Sequence, residues 1–139
     1  MHAHQLILKT ALTDIHHCQK MLQYAAAAAS GAALRQELAN QSPKLDALEA
    51  KLLQIVSRRG WELCQTESII PSRSIRRLRS GRLCDSSVAE ILIRGYQDAL
   101  IRSLKLLHSL PYPDAPIRTA VDTNRDCLLG CVYRLLVYL

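Results

Sequence analysis

Residues Gly60 to Asp85, GWELCQTESIIPSRSIRRLRSGRLCD, separate two long helical patterns of similar length and carry no sustained apolar period of their own. The stretch holds two glycines, a proline, several serines and five arginines. An unpatterned connection of ~25 residues is uncommon inside one compact domain. The exception is a bundle in which two helical hairpins are joined by one long crossover. The spacing therefore predicts a single all-α domain with helices at about residues 4–30, 32–59, 86–109 and 114–138 and a crossover at 60–85.

The apolar periods support that division. Leu8, Leu12, Ile15, Leu22, Ala26 and Ala29 form one stripe, followed by a Ser30-Gly31 break in which Gly31 is a candidate helix C-cap. Leu34, Leu38, Leu45, Leu48, Leu52 and Ile55 form the second stripe. Ser42-Pro43 interrupts it and predicts either a kink or a restart capped by Ser42, because proline removes a helical hydrogen bond. The helix should end at Arg58-Arg59-Gly60, with cations in its last turn and glycine after them. Ser87-Val88-Ala89-Glu90 matches a capping box for the third helix, whose broad apolar arc runs from Val88 to Leu110. In the fourth, Ile117, Val121, Asn124, Leu128, Cys131, Leu135 and Tyr138 keep strict order, which makes Asn124 a buried polar residue that sets register.

The formal net charge of +6 is confined to one place. Arg73, Arg76, Arg77, Arg79 and Arg82 fall within ten positions that contain no acid; without them, 13 basic residues face 12 acidic ones. Read as a short helix, this stretch would anchor on Ile75 and Leu78, with Ile70 or Leu83, and project its arginines toward an acidic protein or a polyanion. No aromatic residue interleaves the arginines, which argues against single-stranded nucleic acid.

Lys20, Tyr24-Ala25, Leu34-Arg35, Leu38 and the ending Arg59-Gly60-Trp61 resemble the pattern of the spore coat protein F family of endospore-forming bacteria, over residues 12–61. The resemblance implies a ferritin-like four-helix bundle and a structural, spore-associated role, with a cytoplasmic protein assembled into the spore coat. Two departures stand out. Relatives often carry an acidic residue at the end of the first helix, where this chain has the run Ala25 to Ala29. The Glu-x-x-His pairs of ferritin-like di-metal sites occur nowhere in it.

The nearest substitute for a metal motif is Asp14-x-x-His17, with His16 beside it and Asp46 and Glu49 as partners on the second helix. Asp14, His17, Asp46 and Glu49 flank apolar stripes, which predicts solvated edges or salt bridges, and no cofactor is expected. Glu90, Asp98, Asp122 and Asp126 are the remaining carboxylates that could join them. The five cysteines lack zinc spacing and read as reduced thiols; Cys84, near Arg82 and a helix start, is the single candidate nucleophile. With no phosphate loop and no Ser-His-Asp order, the expectation is a non-enzymatic structural or interaction protein. A ferritin-like metal-binding protein with a degenerate site and a polyanion-binding module are the alternatives. No signal peptide or membrane-spanning segment is expected. Leu129, Val132 and Leu136 widen the apolar face of the fourth helix beyond one seam and predict a homo-oligomer interface.

Overall fold

A computed structural model describes residues 3–62, 73–110, 112 and 114–139. Helices α1 (Ala3–Ala28), α2 (Ala32–Arg58), α3 (Arg73–Arg79), α4 (Asp85–His108) and α5 (Ala115–Leu135), followed by a 3-10 turn at Leu136–Tyr138, make the chain all-helical, with no strand among the described residues. The four long helices pack side by side, α1 against α2 and α4, and α5 against α4 and α2. The short α3 lies on α1 and α4.

Side-chain contacts fix the directions. Asp85 at the start of α4 meets Ser30 and Gly31 after α1, Met21 lies against Gly95, and Asp14 in the middle of α1 meets Arg102. These pairs run in opposite order, so α1 and α4 are antiparallel. Glu37 with Arg134, Gln41 with the Cys131 carbonyl and Arg59 with Asp114 set α2 antiparallel to α5 in the same way. It follows that α2 and α4 are parallel, and the segment between them must return along the bundle.

The core is aliphatic and centres on α1, which buries Leu8, Leu12, Ile15, Met21, Leu22 and Ala25, with Ala29 buried just after it. Ala26 is exposed, contrary to the a/d reading.

Helix ends depart further from expectation. Gly31 is not a left-handed C-cap; it is extended (φ −77°, ψ 137°) and immediately precedes α2. Its small size has another cause, because a Cβ there would lie 2.3 Å from Asp85 Oδ2. Asp85 itself begins α4, two residues before the expected capping box, and Glu90 pairs with Arg94 instead of the helix start. The Asp85 carboxylate accepts hydrogen bonds from the Ser30 and Gly31 backbone N–H groups, both at 2.9 Å, and from Ser30 Oγ at 3.2 Å.

Pro43 neither ends nor restarts a helix, since α2 runs through it unbroken. Proline and Ala39, the residue whose carbonyl it frees, are both exposed, so water can satisfy that carbonyl. The end of α2 follows expectation. Gly60 adopts φ +64°, its N–H donates to the Ser57 carbonyl, and the Trp61 N–H donates to Val56. This is the Schellman pattern, with Trp61 packed back on the core.

At the centre, the Tyr96 hydroxyl on α4 donates to Gln41 Oε1 on the diagonally opposite α2 at 2.9 Å. Gln41 Nε2 donates to the Cys131 carbonyl on α5 and to Glu37. Burial pushes the Tyr96 hydroxyl far above the usual phenol range, so it acts as a permanent donor. Asn124 is buried as expected, its Oδ1 without a hydrogen-bond partner among the described residues.

Two predictions follow from this packing. Tyr96→Phe strips Gln41 Oε1 of its donor inside the core and should lower stability by about 1–3 kcal/mol in a denaturant titration. Asp85 is held below the usual carboxylate range by the Ser30 and Gly31 N–H groups. A depressed carboxylate contributes its stability above the unfolded pKa and loses it on acidification. Wild type should therefore exceed Asp85→Asn in stability at neutral pH, with the gap closing as pH falls below about 4. Gly31→Ala, which displaces the same carboxylate, should behave like Asp85→Asn.

Candidate anion-contact surface

Helix α3 forms because Ile75 and Leu78, three residues apart, bury on one side against α1 and α4, at 4% and 2% exposure. Leu83 packs partly on the same core, while Ile70 falls outside the described residues. Once those two side chains are fixed, Arg73, Arg76, Arg77 and Arg79 must face outward, and all four are exposed. Gly81 then turns the chain with φ +69°, leaving Arg82 exposed as well.

The arginines do not act alike. The Arg79 guanidinium lies over the Tyr24 ring, 5.7 Å from its centroid, and so helps hold α3 on α1. Arg73, Arg76 and Arg77, together with Ser80 and Leu83, line an open cleft of about 470 Å³. Among the described residues no carboxylate lies within salt-bridge distance of Arg73, Arg76, Arg77 or Arg82. Three planar guanidinium groups around one cleft suit bidentate contact with carboxylate or phosphate oxygens.

The metal candidates are divided among other partners. Arg102 donates from Nε and Nη2 to Asp14 Oδ1 at 3.0 and 2.8 Å, on the α1–α4 seam. Asp14 is only 7% exposed, more buried than its position beside the stripe implied. The reason is that α1 has neighbours on several sides, which widens its buried face. Burial raises the Asp14 carboxyl above its ordinary value, with Arg102 opposing, and burial lowers the neighbouring His17. Asp46 accepts from Gln19 Nε2 at 2.9 Å and Glu49 meets His16 at 2.7 Å, on the α1–α2 seam. Asp122 and Asp126 both contact Arg125. No group of three or more His, Cys, Asp or Glu placed to hold a metal ion occurs among the described residues.

Leu129 on α5 and Leu136 in the 3-10 turn after it are each 46% exposed, but Val132 is buried at 9% and belongs to the core of its own chain. The apolar surface runs instead through Leu129, Tyr133, Leu136 and Val137. Tyr133 and Val137 were missed because they lie off the apolar stripe. Cys84 is exposed at the start of α4 and shares a hydrogen bond with Ser87 Oγ at 3.4 Å, which lowers its thiol pKa.

Removing Arg102 should test the assignment of Asp14 to an ion pair. A fully buried pair broken on one side costs about 3–5 kcal/mol. The Arg102 side chain is 51% exposed, so screening reduces the expected loss for Arg102→Ala to about 1–2 kcal/mol. Because an elevated carboxyl pKa costs stability as pH rises, that loss should grow through the carboxylate range and be complete at neutral pH. Asp14→Asn in the same chain should recover most of it.

No protein-family model, curated protein or solved structure matches this chain.

Proposed function

We propose that this chain is a non-enzymatic structural or interaction protein of the spore coat protein F type, built as a ferritin-like four-helix bundle, which docks through α3 on an anionic partner surface. The observation that carries the docking reading is the cleft of Arg73, Arg76 and Arg77, three exposed guanidinium groups that no carboxylate answers among the described residues. The ferritin-like reading is supported by parallel α2 and α4, which require one long connection between two antiparallel hairpins. The spore-associated role rests on the resemblance over residues 12–61, and assembly into a coat is part of this proposal. Self-association through the exposed Leu129, Tyr133 and Leu136 side of α5 would suit such an assembly. No described helix is long and apolar enough to cross a membrane.

A ferritin-like metal-binding role is less well supported, because Asp14, Asp46 and Glu49 already have partners on three different side chains.

Binding to a heparin or polyphosphate probe tests the docking surface. Affinity should fall steeply with salt, since contacts to a polyanion release counterions. Replacing Arg73, Arg76 and Arg77 with Ala should weaken binding and flatten the salt slope by about one per arginine removed. Absence of binding at low salt would eliminate this use of α3. A host that forms no endospores would eliminate the coat role and leave the docking surface standing.

A further inference from the structure

Two sides of α5 pack on α4 and α2, and its outward side carries two neighbouring rows of residues, each stepping one helical turn. Leu129 and Tyr133, continued by Val137 in the turn that follows, form the first row, with Tyr133 75% and Val137 80% exposed. Asp126, Gly130 and Arg134 form the second, and all three are exposed.

Nothing inside the chain calls for glycine at position 130. It lies within a helix, where glycine costs about 1 kcal/mol relative to alanine. A Cβ at Gly31 or Gly95 would run into Asp85 or Met21, whereas one at Gly130 would meet nothing within 4 Å. Bare backbone on an exposed helix face admits a close approach from outside.

The charges on either side of that bare point complement each other. Asp126 stands one turn before Gly130 and Arg134 one turn after it. Arg125 is divided between Asp122 and Asp126, which leaves the Asp126 side chain 70% exposed. Arg134 reaches Glu37 only at 3.8 Å and is 58% exposed. A second α5 running the opposite way and crossing at Gly130 places each Asp126 against Arg134 of the other copy. A parallel copy would set acid on acid and base on base, which opposes association. A twofold interface requires a patch that complements itself, and this row does so.

We propose that two copies of this chain pair through antiparallel α5 helices that cross at Gly130. Each Asp126 meets Arg134 of the second copy, and the Leu129 and Tyr133 side chains close over the bare backbone and leave water. The pairing rests on self-association through α5 and gives it a direction and a crossing point. One helix pair lies at the low end of interface areas, below about 1,200 Å² in total, so the dimer should be weak and dissociate on dilution.

Sedimentation equilibrium of the full chain over a concentration series tests the pairing, with thermal melts as a check on folding. Wild type should pass from monomer to dimer as concentration rises. Gly130→Leu should abolish the dimer and leave the monomer at least as stable, since leucine has room there and is the better helix former. Asp126→Arg and Arg134→Asp should each weaken association about tenfold, by turning two ion pairs into like-charge contacts. The two reversals combined should restore it, because the pairs reform with their signs exchanged. A wild type that stays monomeric throughout would remove self-association altogether. A dimer that tolerates Gly130→Leu, or that the combined reversal fails to restore, would overturn the antiparallel pairing while self-association itself stands.

Discussion

The parallel course of α2 and α4 constrains everything else in this molecule. A helix of 27 residues is about 40 Å long, so the chain leaving α2 must travel that distance before α4 can begin. Where such a connection packs on the bundle, buried side chains offset the conformational entropy of ordering it. Ile75 and Leu78 supply the attachment: two buried side chains convert part of the return path into α3 and fasten it to α1 and α4. The exposed arginines are a consequence of that attachment. With two apolar residues inside, a seven-residue helix has nowhere else to put them.

The second constraint lies in the centre of the bundle, and the sequence does mark it, though faintly. Three apolar stripes skip a turn: from Ile15 to Leu22, from Leu38 to Leu45 and from Leu92 to Ala99. The inward residues in those gaps are Cys18, Gln41 and Tyr96, exposed by 1% or less. Such gaps look like interruptions when only aliphatic side chains are counted. Gln41 was further disguised by its neighbours Asn40, Ser42 and Pro43, which look like a loop. In a bundle the reading reverses: a gap at core register, filled by a residue with a polar end, marks where opposite helices exchange a hydrogen bond. Amide and phenol groups, which stay uncharged, occupy that point.

The four long helices, the anchoring of α3 and the burial of Asn124 were therefore legible, since each depends on spacing within one segment. What failed depended on residues far apart. The capping box at Ser87 was locally sound, but Asp85 finds its partners 54 and 55 residues earlier, and the helix starts there. Asp14 read as a solvated edge until Arg102, 88 residues away, was placed against it. Val132 looked like surplus apolar width because a stripe does not show how many neighbours a helix has.

One consequence follows from the two aspartates that begin the helices of the second hairpin. Asp85 takes the N–H groups of the α1–α2 turn at one end of the bundle. At the other end, the Asp114 carboxylate takes Arg59, while its backbone N–H reaches His4. In both cases the second hairpin contributes the carboxylate and the first the receptor, so the halves are complementary in kind, like plug and socket. At these two ends, two copies of the first hairpin would lack the carboxylates that Ser30, Gly31 and Arg59 engage, and two copies of the second would lack those partners. The two halves are thus not interchangeable. In an exchange of hairpins between molecules, only unlike halves could close at both ends.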